Sequence, residues 1–145
     1  MKMNISPAAG RAVKILEENG HEAFVVGGCV RDMLMGREPN DFDITTSATP
    51  PETEDAFRDF RLIETGIKHG TVTVVLPGGT YEVTTYRIDG EYTDNRHPEK
   101  VSFVRSLEED LKRRDFTINA MAYNDFEGLK DFHGGTEDLK NKLLR

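Results

Sequence analysis

The sequence contains no tryptophan and a single cysteine, Cys29, among its 145 residues. One cysteine cannot form an intrachain disulfide, which excludes a disulfide-stabilised fold and is typical of a reducing compartment. No apolar run approaches the roughly 20 residues that a membrane-spanning helix needs. The N-terminus also lacks the apolar stretch of a signal peptide. We therefore expect a cytoplasmic protein that does not associate with a membrane.

Basic residues are also scarce, with 19 Lys and Arg against 26 Asp and Glu and a net charge of −7. This balance disfavours a domain that binds nucleic acid mainly through a basic surface. A small nucleotide that brings its own metal ion remains compatible with an acidic site. The hydrophobic fraction of 37% and the charged fraction of 31% predict one folded domain with its own core.

A glycine pair, Gly27 and Gly28, separates a predicted buried strand at residues 23–26 from a short predicted helix. A helix N-terminus after a glycine turn offers backbone N–H groups and a positive dipole end to an anion. Arg31, in the first helical turn, could clamp a phosphate in bidentate fashion. Asp32 could cap the helix or pair with an arginine. An ordinary solvated helix start explains these two charged residues equally well.

Two carboxylates, Asp41 and Asp43, stand two residues apart on a predicted strand at residues 41–46. Side chains with this spacing share one face of a strand, where the two negative charges repel. A magnesium ion, which carboxylates and substrate phosphates bind together, would relieve that repulsion. The alternative is an Asx turn or a helix cap.

A third acid, Glu82, lies on the second strand of a predicted hairpin, whose strands cover residues 71–76 and 80–87. A carboxylate there could complete a two-metal site, in which one ion activates a hydroxyl and the other holds the leaving phosphate. A solvent-facing position on the strand is an equally good explanation.

Two further polar clusters follow. Arg114, Asp115 and Asn119 come after a predicted helix that begins at Ser106. They offer groups for phosphates and ribose hydroxyls, although basic residues at a helix C-terminus also simply complement its dipole. The last cluster lies on a predicted polar loop and consists of Arg87, Asp89, Tyr92, Asp94, Arg96 and His97. Its aromatic and arginine content suits stacking on a base or an RNA end, and a solvated linker is the alternative.

Taken in order, the motifs at residues 25–32, 41–43, 87–89 and 113–122 resemble the catalytic head of bacterial tRNA nucleotidyltransferases. These are the CCA-adding enzymes, whose relatives include the bacterial poly(A) polymerases. The resemblance implies an α+β fold of the nucleotidyltransferase (DNA polymerase β-like) palm type, with a mixed, mostly antiparallel sheet and flanking helices. It also implies that residues 1–145 are the head domain and that the neck, body and tail domains are absent from this chain.

The resemblance further implies a reaction, in which CMP and AMP are transferred from CTP and ATP to the tRNA 3′ end with release of pyrophosphate. The catalytic residues would be Asp41, Asp43 and Glu82, with Mg²⁺ held by the two aspartates. The nucleotide-binding residues would be Gly27, Gly28, Arg31, Asp32, Arg114, Asp115 and Asn119. Residues 91–98 resemble the flexible loop that helps these enzymes change from adding C to adding A.

Several alternatives remain open. A poly(A) polymerase head is less compatible with that loop, and the other possibilities are an excised nucleotide-binding fragment without selective activity or a purely structural module. The family reads the incoming base with a Glu-Asp-x-x-Arg motif in the neck. Residues 137–141 read Glu-Asp-Leu-Lys-Asn, with asparagine in place of that arginine. The resemblance therefore implies that base selection and most tRNA contacts belong to domains outside this chain, and it leaves the oligomeric state open.

Overall fold

The computed structural model of the chain describes residues 5–39, 41–66, 70–89, 101–103, 106–112, 114 and 116–142. Its helices are α1 (Pro7–Glu18), α2 (Gly28–Leu34), α3 (Pro50–Ala56), α4 (Leu107–Lys112) and α5 (Gly135–Lys140), with a 3₁₀ turn at Thr117–Asn119. Its strands are β1 (Ala23–Val26), β2 (Asp43–Thr46), β3 (Arg61–Gly66), β4 (Thr71–Leu76), β5 (Gly79–Thr85), β6 (Arg87–Asp89), β7 (Val101–Phe103), β8 (Ala122–Asn124) and β9 (Gly128–Lys130). Over these residues, no helix combines the length and the apolar character needed to cross a bilayer.

Seven strands form one sheet in the order β3-β4-β5-β2-β1-β8-β9. Among the described strands of this sheet, β2 and β5 pair in parallel and the other neighbours pair antiparallel. A second, two-stranded sheet joins β6 to β7. The predicted α+β fold with a mixed, mostly antiparallel sheet is confirmed.

Each face of the large sheet carries its own apolar cluster, because successive side chains of a strand point to opposite faces. On one face, strand residues such as Val25, Ile44 and Val83 pack with the buried side of α1. Ser6 begins that helix by accepting a hydrogen bond from the backbone N–H of Ala9 at 3.2 Å. This face holds the larger of the two apolar clusters.

On the opposite face, α4 packs over β1 and β8 and also contacts β2 through Asp110 and Thr45. Its residues Leu107 and Leu111 join Phe24 and Val26 of β1 and Tyr86 in a smaller cluster. Residues of β2 and β5 that point to this face include Asp43 and Glu82, and both are exposed. The fold therefore positions α4 directly beside the carboxylates.

Three local expectations need correction. Strand β2 begins at Asp43, so Asp41 precedes the strand instead of lying within it. Arg87 and Asp89 belong to β6 and not to a loop, because their backbone pairs with β7 and so satisfies its hydrogen-bonding groups there. The second strand of the hairpin, expected at residues 80–87, covers Gly79–Thr85.

Candidate active site

The pairing of the inner strands β1, β2 and β5 brings the separate sequence motifs together. Asp43, the first residue of β2, lies opposite Val26, the last residue of β1. Gly27 follows Val26 directly, so the glycine turn is a neighbour of Asp43. On the other side of β2, the parallel pairing places Glu82 of β5 in register with Asp43. The glycine turn and two of the three predicted catalytic carboxylates therefore lie on neighbouring strands at the same level of the sheet.

The surroundings of Asp43 raise the pKa of its carboxyl group. Loss of hydration raises its pKa, the nearby positive charge of Arg114 opposes that rise, and the negative charge of Asp41 adds to it. Two neighbouring carboxylates of this kind fit a hard divalent cation, which binds oxygen ligands and neutralises both charges. Within the described residues, no three acidic, histidine or cysteine side chains form a complete metal-ligand cluster.

Gly27 lies beside the guanidinium group of Arg114. It is the N-terminal cap of α2, with φ of 82° and ψ of −136°, a conformation that residues with a side chain rarely adopt. A Cβ atom at this position would lie 3.5 Å from Nη1 of Arg114. The guanidinium of Arg114 consequently lies against the glycine turn while its charge acts on Asp43.

Arg31 connects the glycine turn with Asn119, which is 88 positions away in the sequence. Its Nη1 donates a hydrogen bond of 3.0 Å to Oδ1 of Asn119. Its Nε and Nη2 donate to Oδ1 of Asp32 at 3.3 Å and 3.2 Å. Asp32 thus pairs with an arginine, one of its two expected roles, and orients the guanidinium of Arg31 at the glycine turn.

Helix α5 contacts and supports the 3₁₀ turn that carries Asn119. Thr117 donates from Oγ1 to the carboxylate of Asp138, which is fully buried. Asp131 accepts hydrogen bonds from the backbone N–H groups of Gly135 and Thr136 at 2.7 Å and 2.9 Å, and so fixes the start of α5. The Glu-Asp pair at residues 137–138 is therefore part of the support of the site, because the Asp138 carboxylate points into the protein.

Sequence reasoning missed Asp110 and Thr45. Asp110 lies on α4 and is 0% exposed, yet it carries a carboxylate beside the site. Its Oδ2 accepts a hydrogen bond of 3.1 Å from Oγ1 of Thr45 and lies 3.8 Å from Nη2 of Arg114. The sequence signal for Asp110 was its position four residues before Arg114, although Arg114 itself lies just beyond the end of α4.

Cys29 lies inside the glycine turn and is buried. Its thiol donates to the carbonyl oxygen of Val26 at 3.3 Å. Burial is the main cause that raises its pKa to about 11. A thiol that stays protonated at neutral pH is a poor nucleophile, so the structure gives Cys29 a packing role.

The remaining predicted site residues do not all fall within the described part of the chain. Asp115, Tyr92, Asp94, Arg96 and His97 lie outside it. For Arg87 and Asp89, the structure gives the backbone of β6. The residues that it brings together are Gly27, Gly28, Arg31, Asp32, Asp41, Asp43, Glu82, Arg114 and Asn119.

Comparison with known proteins gives one family. The family model described as the poly(A) polymerase head domain matches residues 23–145. A CCA-adding enzyme of Geobacillus thermodenitrificans is 51% identical over 145 residues, which cover all of this chain and 35% of that protein. A CCA-adding enzyme of Streptococcus agalactiae is 48% identical over 149 residues, which cover all of this chain and 37% of that protein.

Comparison with solved structures also gives CCA-adding enzymes. The Bacillus stearothermophilus CCA-adding enzyme in complex with CTP superposes with a TM-score of 0.85 and 44% identity, over 97% of this chain and 34% of that one. The Thermotoga maritima CCA-adding enzyme complexed with tRNA superposes with a TM-score of 0.71 and 32% identity, over 94% of this chain and 31% of that one. The chain therefore spans about a third of the length of the relatives that it matches.

Proposed function

Because the chain belongs to the poly(A) polymerase head domain family, we propose that it is the catalytic head of a CCA-adding tRNA nucleotidyltransferase. It would transfer CMP and AMP from CTP and ATP to a tRNA 3′ end. The observation that carries the proposal is the convergence of the glycine turn, two arginines and the carboxylates of Asp43 and Glu82 where β1, β2 and β5 lie side by side. Similar proteins have been solved in complex with CTP and with tRNA, which supports the same substrates here.

In the proposed site, Asp41 and Asp43 would hold Mg²⁺ through their carboxylate oxygens. The ion, when bound, supplies positive charge that stabilises the developing charge on the reacting phosphate. Arg114, against the glycine turn, and Arg31, oriented by Asp32, would bind the triphosphate and orient it. The α2 N-terminus adds backbone N–H groups beside them. Most of the catalysis would come from positioning and electrostatics.

The chemical step would begin with attack of the tRNA 3′ hydroxyl on the α-phosphate of the nucleotide. The bond between the α- and β-phosphates breaks, pyrophosphate leaves, and the hydroxyl proton is lost to solvent. Glu82 is in register with Asp43 and exposed on the same face, so its carboxylate would lie near the incoming hydroxyl. Asn119, held by Arg31, would accept or donate hydrogen bonds at the ribose.

The decisive experiment incubates the chain with a tRNA that lacks CCA, Mg²⁺ and each labelled nucleotide in turn. Binding of Mg²⁺–CTP and Mg²⁺–ATP is measured in parallel by calorimetry. Asp41→Ala and Asp43→Ala should each abolish incorporation and metal-dependent binding, because both remove an oxygen ligand. Asp55→Ala, which removes an exposed acid of α3, is the matched control and should change neither. Undiminished binding or turnover in the two site variants would refute the proposal.

A second candidate is a nucleotide-binding fragment without selective activity, which the coverage of only about a third of each relative favours. It predicts metal-dependent nucleotide binding without extension of the tRNA. A poly(A) polymerase head would instead add a long run of A, so product length on the same tRNA separates the two enzymes. Because bacterial tRNA is matured in the cytoplasm, that compartment is the proposed location.

A further inference from the structure

The structure holds Arg114 through a buried acidic residue that the proposed chemistry does not use. Asp110 is fully buried on α4, and a buried carboxylate is costly unless it is paired. Its Oδ2 lies 3.8 Å from Nη2 of Arg114, which is itself largely buried, and accepts a 3.1 Å hydrogen bond from Thr45. Breaking a buried ion pair by removing one partner is costly, because the other charge is left without compensation.

The position of Thr45 ties this pair to the strand of the proposed metal ligands. Thr45 lies two residues after Asp43 on β2, so both side chains point to the same face of the sheet. The contacts among Thr45, Asp110 and Arg114 therefore link β2, α4 and the guanidinium at the Gly27 turn. The same guanidinium already acts on the negative charge of Asp43, so without Asp110 it would be drawn further toward that carboxylate.

We propose that Asp110, supported by Thr45, is a positioning residue that holds the Arg114 guanidinium at the glycine turn in the orientation that binds nucleotide phosphates. The nucleotide part of this inference rests on the proposed function. The anchoring part rests on the contacts among the three residues alone. Asp110 would act through Arg114 and would contact neither nucleotide nor metal.

The first test observes the anchor without any nucleotide. The Nη2–H resonance of Arg114, recorded by nitrogen-15 NMR, reports whether its guanidinium is held at Asp110. In the unaltered chain this signal should be sharp and exchange slowly with solvent. Asp110→Asn should broaden it and speed its exchange, and Thr45→Val should do so to a smaller degree. An unchanged signal in Asp110→Asn would refute the anchoring.

The matched control is the neighbouring residue on the same strand. Thr46 is as buried as Thr45, but its side chain lies on the opposite face and donates to the backbone carbonyl of Glu22. Thr46→Val is therefore the same chemical change at an equally buried position, where it removes the bond to Glu22 and one accepted from the backbone N–H of Ala48. It should lower stability without affecting the Arg114 signal, and an equal effect on the signal would mean that Thr45 has no special role.

The second test measures affinity for Mg²⁺–CTP and, as a probe of phosphate alone, for inorganic tripolyphosphate. Asp110→Asn should weaken both about tenfold, because it removes the charge that pairs with Arg114, and Thr45→Val about threefold, because it removes only a hydrogen bond to that carboxylate. Thr46→Val should leave both unchanged. In an Arg114→Ala background, Asp110→Asn should cause no further loss, whereas a purely structural role would give additive losses.

The two tests separate the possible failures. If the signal responds but affinity stays constant, Asp110 anchors Arg114 and the phosphate role is refuted. If the unaltered chain binds neither probe, the proposed function fails, while the NMR result still decides whether Asp110 holds the guanidinium. Additive losses in the double variant would overturn the inference even with binding intact.

Discussion

Gly27 illustrates the site at the scale of single residues. Its backbone has φ of 82°, and the space that a side chain would fill is next to Arg114. Gly27 therefore meets the conformational requirement of a turn that leads from β1 into α2, and an added Cβ would be at ordinary van der Waals distance from the Arg114 guanidinium. Sequence reasoning assigned Gly27 to phosphate binding, and its conformational requirement comes from the structure.

We expect Gly27→Ala to lower the free energy of unfolding by about 1–3 kcal/mol, the usual cost of forcing a side chain into such a conformation. Gly10→Ala is the control, because Gly10 lies within α1 and a Cβ atom added there would meet nothing within 4 Å. There alanine should stabilise the helix by about 0.5–1 kcal/mol. Urea unfolding measures both, and equal shifts would contradict the conformational argument.

At the scale of elements, α1 meets the β8–β9 turn through like charges. Glu17, near the end of α1, has a raised pKa because burial disfavours its charged form and because Glu127 and Asp125 repel it. The folded protein therefore binds this proton more tightly than the unfolded chain does. The charged carboxylate destabilises the fold at neutral pH, and this cost disappears as the pH falls below the ordinary value of 4.5.

Glu17→Gln should accordingly raise Tm at pH 7, because it removes the charge and keeps an oxygen for the side chain of Asn124. The gain should shrink toward zero as the pH is lowered below 4.5. Glu18→Gln removes the same charge from an exposed neighbour and should change Tm little. Calorimetric melting across this pH range, starting from neutral pH, checks the prediction, which a pH-independent gain would contradict.

At the scale of the whole molecule, the described site offers groups for phosphates, ribose and metal. The Glu-Asp pair at residues 137–138 resembles the start of a base-reading motif, but Asp138 is buried and accepts a hydrogen bond from Thr117. It is therefore committed to holding the Asn119 turn. Base selection by this chain alone would need a different set of side chains.

We therefore expect the chain to bind Mg²⁺ complexes of CTP, ATP, GTP and UTP with similar affinity. Thermal shifts measured at equal concentrations should be the same for all four, because a ligand stabilises the folded state according to its dissociation constant. Omitting Mg²⁺ should reduce all four shifts together. A clear preference for CTP and ATP would contradict the prediction and place base selection within these residues.

Much of this architecture follows from the sequence itself. Alternating residues at 71–76 and the Pro77–Gly78 turn specify the β4–β5 hairpin, and Ser6 with Pro7 specifies the start of α1. Local patterns of this kind act through short-range sterics and hydrogen bonds, so they can be read without the fold. Asp41 and Asp43 were identified in the same way, by their spacing.

Only the tertiary structure decided which distant residues meet. The parallel pairing of β2 with β5 sets Glu82 opposite Asp43, and Arg31 finds Asn119 across 88 positions. The role of the buried Asp110 carboxylate follows only from its contacts with Arg114 and Thr45 in the folded chain. Sequence by itself determined the chemical groups of this protein and its local elements. The packing of β2, β5 and α4 determined their distances, because contacts between remote residues depend on the whole fold.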